Sequence, residues 1–164
     1  MNSVVVVVAQ YLLFVILAAA AAIWLFLPGH DKGGLAVKTV VSLVLMVVLI
    51  KVAAGLYTDP RPIVTDPLLR ALFPHPADNG FPSDHTALAA TVALLEMMYR
   101  RWLGALLLAA SVALGAARVA ANVHHEQDIF AGLLIAAAAV GLAAAIWWWV
   151  GPRLPRRLTE PAWT

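Results

Sequence analysis

The stretch VVVVVAQYLLFVILAAAAAIWLFL, running from Val4 to Leu27, is apolar throughout except for Gln10. A bilayer hydrocarbon core about 30 Å thick needs about 20 such residues in a helix. The stretch is longer than the apolar region of a secretory signal. No Lys or Arg precedes it, and it runs into Pro28-Gly29 without a small-residue cleavage site. It therefore reads as a retained transmembrane helix. Outward from it, apolar runs recur at 35–56, 84–99, 102–117 and 128–150, and the five together take up most of the 164 residues. The expected architecture is an all-α integral membrane bundle of about five transmembrane helices, one membrane-embedded domain over residues 1–164.

Composition agrees with this reading. Hydrophobic residues make up 63% and charged residues 12%, which lies outside the soluble globular class. The absence of cysteine excludes disulfides, thiolate metal sites and a cysteine nucleophile. The net charge of +2 is small and its cations sit at span ends rather than along a face, so nucleic acid is not an expected partner. No feature specifies an oligomeric state.

Arg100-Arg101-Trp102 separates the third and fourth runs. Two arginines at mid-membrane would be very costly, so the junction reads as a tight hairpin and not as one long helix. Between the second and third runs, Pro60, Pro62, Pro67, Pro74, Pro76 and Pro82 forbid a continuous helix and predict an ordered loop. Within it, Pro67 to Phe73 has the pattern of a short amphipathic turn at the interface. The alanine-rich spans suit close helix packing.

Five spans put the connections on alternate sides. One side carries Lys32, Lys38, Arg100, Arg101, Arg153, Arg156 and Arg157, with Trp147 to Trp149 as an interfacial anchor. The other carries Arg61, Arg70 and Arg118. The positive-inside rule makes the first group cytoplasmic, so the proline-rich loop and the segment from Arg118 to Asp128 face outward together.

Most of the unusual polar residues gather on that outer side, in three stretches. These are Lys51 with Asp59-Pro60-Arg61-Pro62, then Phe81-Pro82-Ser83-Asp84-His85-Thr86, then Arg118 with His124 and Asp128. Arg61, Arg118 and Lys51 offer fixed positive charge suited to phosphate oxygens, and need no metal to do so. Ser83 is placed to cap the third span, whose first N–H groups, around Asp84 and His85, would then face the same anion. His124 and Asp128 are four residues apart, close enough for the carboxylate to hold one imidazole nitrogen and leave the other free. The free nitrogen can attack phosphorus to give a phosphohistidine, which water then hydrolyses. His85 can protonate the leaving group and later activate the water.

The three stretches resemble the tripartite signature of the type 2 phosphatidic acid phosphatase superfamily, written K-x6-R-P, P-S-G-H and S-R-x5-H-x3-D. The third is present from Arg118 through His124 to Asp128, with Ala117 in place of the serine. The second appears as Pro82-Ser83-Asp84-His85, with Asp for Gly, a form similar to the undecaprenyl-diphosphate phosphatase branch. In the first, Ala54 occupies the lysine position and Lys51 lies one helical turn earlier. The resemblance implies that Arg61 and Arg118 bind phosphate, that Ser83 and His85 belong to the site, that His124 is the nucleophile, and that no metal or other cofactor is used. It favours a lipid diphosphate substrate. A phosphatase for phosphatidic acid or phosphatidylglycerol phosphate is the alternative, and a non-catalytic lipid-phosphate binder or flippase is the rival of another class.

Several neighbours have plainer readings. Lys51 can snorkel to the interface instead of binding phosphate. Asp84 can stabilise the helix dipole or tune His85. His125 with Glu126 matches no metal-ligand spacing and reads as solvated loop polarity, as do His75 and Asp78.

Overall fold

The computed structural model describes residues 2–153. Within them the chain forms α1 (Asn2–Leu25), α2 (Gly29–Leu56), a single turn α3 (Pro62–Thr65), α4 (Asp84–Tyr99), α5 (Arg101–Ala120) and α6 (Glu126–Val150), then a 3-10 turn at Gly151–Arg153. The five long helices coincide with the five apolar runs. Helix α2 starts earlier than hydropathy indicates because Pro28 precedes its first residue and Asp31 lies in its first turn, where the helix dipole favours a carboxylate. Arg156 and Arg157, used above for orientation, lie outside the described residues.

Four helices, α1, α2, α5 and α6, are long and apolar enough to cross a membrane. Helix α4, with 16 residues, extends about 24 Å at 1.5 Å per residue. It occupies the centre, packed against α1, α2, α5 and α6. Its composition explains that position: Ala87, Ala89, Ala90 and Ala93 are fully buried, and such small side chains let four neighbours approach at once. Large apolar residues lie on the outside instead, with Val4, Phe14, Val40, Leu106, Phe130 and Leu134 all exposed. Small residues inside and bulky apolar residues outside suit a bundle whose solvent is lipid.

The α4–α5 hairpin is as tight as its sequence suggests. Arg100, at φ −133° and ψ 78°, ends one helix and begins the next. A Cβ at Gly104 would lie 2.2 Å from the Met97 nitrogen, so only glycine permits this contact.

The loop between α2 and α4 folds back over the bundle end. Gly80 N donates to Asp59 O at 2.8 Å, Asp59 N donates to Asn79 Oδ1 at 2.9 Å, and Leu72 N donates to Ala121 O at 3.2 Å. Leu72 and Phe73 pack on Ala9, Ala117, Ala121 and Val123. Of the amphipathic turn expected over Pro67 to Phe73, only a turn at Pro67–Leu68 forms, closed by Leu69 N donating to Asp66 O at 3.0 Å. The helical turn lies earlier, over Pro62–Thr65, with Pro62 at its first position, where a fixed φ and a missing N–H cost nothing. Asp66 then accepts from Leu68 N at 2.9 Å, a side-chain turn that leads the chain away from helix.

Candidate active site

The α5–α6 junction sets the geometry. Asn122 ends the α5 turn at φ 59°, a left-handed conformation that asparagine tolerates, and its amide donates to Arg70 O at 3.0 Å. The chain then presents His124 before α6 begins at Glu126. Asp128, in the first turn of α6, reaches back so that its Oδ2 accepts from His125 N at 2.9 Å, one half of a capping box. The same Oδ2 lies 3.1 Å from His124 Nδ1. One carboxylate thus starts the helix and orients the imidazole.

His124 Nε2 faces two guanidinium groups, Arg61 Nη1 at 3.3 Å and Arg118 Nη2 at 3.4 Å. Guanidinium groups only donate, so Nε2 carries the lone pair and Nδ1 carries the proton given to Asp128. Each arginine is fixed from behind. Arg61 donates to Val123 O at 2.6 Å and to Asp78 Oδ1 at 2.8 Å. Arg118 donates to Ala9 O of α1 at 3.2 Å and to His75 Nε2 at 3.0 Å. Arg118 and His124 are 2% and 3% exposed and Asp128 is wholly buried, so these side chains are held by contacts and not by chance rotamers.

Arg61, Arg118 and His124 border a cavity of about 400 Å³ that is also lined by Lys51, Ala54, His75, Asp78, Asp84 and His85. The cavity meets the first turn of α4, so Asp84 and His85 stand on it together with that helix N-terminus. Lys51 reaches it from α2 beside Ala54, so the displaced lysine and the position it left share one wall. Ser83 is placed differently. It is fully buried as the N-cap of α4, accepting from Thr86 N at 3.4 Å, while its own N–H donates to Asp128 O at 3.1 Å. It joins the second and third stretches without lining the cavity. Gly132 makes that junction possible, since a Cβ there would lie 2.9 Å from Ser83 O.

Burial pushes the His124 imidazole below its ordinary pKa, and the charges of Arg118 and Arg61 push the same way against the raising hydrogen bond to Asp128. Burial, with Arg61 and Arg118, lowers His75 likewise. The hydrogen bond from Arg61 holds the Asp78 carboxyl below the usual range. Both histidines are therefore neutral near pH 7, in agreement with the tautomer that the contacts assign.

Residues read as solvated loop polarity turn out to be structural partners. His75 touches Arg118 and stands edge-on to His124, with ring centroids 6.3 Å apart. Asp78 braces Arg61. His125 Nδ1 lies 2.9 Å from Asp59 Oδ2, a pairing across 66 residues of chain. No local spacing announces such contacts. The one available signal was the density of polar residues in a loop otherwise rich in proline.

A cavity with fixed guanidinium groups, a helix N-terminus and a carboxylate-oriented imidazole is an arrangement suited to receiving an anion such as a phosphate group. The family model of the PAP2 superfamily matches residues 34–152, and the chain belongs to this superfamily. It is a membrane hydrolase of lipid phosphates. Among curated proteins, it is 29% identical over 155 residues to the bacitracin transport permease protein BcrC of Bacillus licheniformis, covering 94% of this chain and 73% of that one. It is 30% identical over 159 residues to the putative undecaprenyl-diphosphatase YbjG of Escherichia coli (strain K12), covering 96% and 79%. Identity to the undecaprenyl-diphosphatase BcrC of Bacillus subtilis (strain 168) is 26% over 136 residues, covering 83% and 69%. The crystal structure of Aquifex aeolicus LpxE shares the fold, with a TM-score of 0.72, 23% identity, and coverage of 88% of this chain and 85% of that one.

Proposed function

We propose that this chain hydrolyses a polyprenyl diphosphate, converting undecaprenyl diphosphate to undecaprenyl phosphate and inorganic phosphate, through a phosphohistidine at His124. The observation that carries the reading is the placement of His124 Nε2. Its lone pair faces the space where two guanidinium groups converge, 3.3 and 3.4 Å away, and Asp128 holds the opposite nitrogen. Two relatives bearing the name undecaprenyl-diphosphatase support the choice of substrate.

The geometry supports the following sequence of events. Arg61, Arg118 and the first turn of α4 bind the terminal phosphate, with Lys51 and Asp84 at the cavity wall. His124 Nε2 attacks phosphorus, the P–O bond to the lipid phosphate breaks, and Asp128 supports the positive charge that forms on the imidazole. The guanidinium groups stabilise charge on the phosphoryl oxygens as they transfer. His85 donates a proton to the leaving oxygen and then takes one from the water that hydrolyses the phosphohistidine. Ser83 acts from behind, by seating the α4 N-terminus against Asp128. The lipid chain stays in the bilayer between helices. The chain acts as one membrane-embedded domain in a bacterial inner membrane, and the positive-inside rule supports an extracytoplasmic cavity.

The test is phosphate release by purified protein in chelator. Prenyl diphosphate should be turned over faster than phosphatidic acid or phosphatidylglycerol phosphate, and His124→Ala should reduce release by roughly 10³-fold or more. Activity surviving that substitution would sink the nucleophile assignment, and faster turnover of the glyceryl lipids would make them the substrate.

A further inference from the structure

Behind the His124–Asp128 pair, on the side away from the phosphate cavity, lies a second group of ligand-type side chains. Asp59, His125 and Asp128 each offer a ligand atom, and those atoms lie within 4.8 Å of one another. Asp59 is 8% exposed and Asp128 fully buried. Two carboxylates this close repel unless a proton or a cation sits between them. His125 Nδ1 lies 2.9 Å from Asp59 Oδ2, and Asp128 Oδ1, buried, has no hydrogen-bond partner. A buried carboxylate oxygen without a partner is costly, and Asp128 Oδ1 is left in that state while Oδ2 serves His124 and His125 N.

The cluster also has its own entrance. A cleft of about 680 Å³, lined by Asp59, Thr65, His125, Glu126, Gln127 and Phe130, opens beside it. None of these six lines the phosphate cavity. Anions meet arginines on one side of His124, whereas a cation would meet Asp59, Glu126 and an imidazole on the other.

We propose that Asp59, His125 and Asp128 form a site for a divalent transition metal of the zinc class, and that its occupancy slows hydrolysis. One imidazole and two carboxylates form a donor set that zinc accepts, with metal–ligand distances of about 2 Å that place ligand atoms roughly 3.3 Å apart. On binding, the ion takes the place of the proton between His125 Nδ1 and Asp59, and by exchange with solvent the imidazole carries its proton on Nε2 instead, so that it ligates as a neutral ring. Asp128 joins through its free Oδ1. Oδ2 keeps its hydrogen bond to His124, but the dication draws off the negative charge that supports the imidazole as Nε2 becomes phosphorylated. The arginines that hold phosphate are untouched, so kcat falls while KM does not. The regulatory half of this inference rests on the assignment of His124 as nucleophile; the metal site itself does not.

The experiment uses the whole chain in detergent after chelator treatment and has two arms. In the first, Co²⁺ is titrated as a spectroscopic stand-in. One equivalent should give visible absorption that Zn²⁺ displaces, lost in Asp59→Asn and His125→Gln and kept in His124→Ala. In the second, Zn²⁺ should lower kcat for phosphate release about 10- to 100-fold at constant KM in the wild type. Asp59→Asn and His125→Gln, each compared with its own metal-free rate, should not respond. Gln127 Nε2 donates to Asp59 Oδ2 at 2.5 Å, and Asp59→Asn retains an acceptor oxygen for it, so that variant keeps the test decisive if His125→Gln does not fold. Absence of stoichiometric Co²⁺ binding overturns the site. Inhibition that persists unchanged in both variants overturns the regulation and places the ion elsewhere, for instance on the substrate phosphates. A protein inert on every lipid phosphate would overturn the proposed function while the Co²⁺ arm still read the metal site.

Discussion

The two ends of the bundle treat positive charge in opposite ways. At the end carrying His124, Arg61 and Arg118 are 6% and 2% exposed and held by Val123 O, Asp78, Ala9 O and His75. At the other end, Arg100 and Arg101 are exposed and make no side-chain hydrogen bond or ion pair with the described residues. Lys38 lies over the rings of Tyr99 and Trp147, and Lys32 donates to Leu25 O at 2.9 Å. Burying a charge is expensive unless partners replace water, so the first end maintains an arrangement that the second has no need to build. Charge at one end is buried and fixed by partners, and at the hairpin of the other it is left exposed.

The sharpest way to break this comparison is to make one substitution at both ends. Arg118→Lys keeps the charge but cannot meet Ala9 O, His75 and an incoming phosphate with one ammonium. Phosphate release should fall about 100-fold, as when a single preorganised donor is lost. A loss under about threefold would mean that net charge alone suffices at the cavity and that the fixed fork is irrelevant.

A smaller effect concerns acid. As the proposed nucleophile, His124 must be neutral to attack, and burial together with Arg118 and Arg61 lowers its pKa from the ordinary 6.5. A lowered pKa means that the neutral form persists as pH falls, until pH passes below the shifted value. The acid limb of kcat/KM should therefore have its midpoint below 6.5, with activity at pH 6.5 within about twofold of the plateau. A midpoint above 6.5 would show that Asp128 outweighs desolvation and that the site is wetter than its burial indicates.

What could be read in advance follows the same division. The spans, the Arg100–Arg101 hairpin and the sites of Arg118, His124 and Asp128 were legible because each depends on spacing within one segment. Lys51 was legible as a candidate because one helical turn separates it from Ala54. The bracing of Arg61 by Asp78, of Arg118 by His75 and of His125 by Asp59 was not, since each joins residues 17 to 66 positions apart through a folded loop. Ser83 was read correctly as a cap. Its exclusion from the cavity wall depends on Gly132 letting α6 close upon it, which is a packing fact with no local signature.

The mildest prediction completes the paired substitution. Arg100→Lys and Arg101→Lys alter side chains that lie in solvent at the hairpin, where Arg100 contributes its backbone geometry and its N–H bond to Glu96 O at 2.7 Å, both retained by lysine. Stability should stay within about 0.5 kcal/mol of the wild type and activity should not change. The topological signal is preserved as well, because orientation follows the count of Lys and Arg and not their identity. Replacing both by glutamine lowers that count while leaving the cavity beside His124, about 24 Å away along α4, in place. A tag at the C-terminus should then report mixed orientation in the membrane, although correctly inserted molecules retain full turnover. Turnover that collapsed in correctly inserted molecules would show that the two ends are coupled through α4, and that the division of labour between them is less complete than the contacts indicate.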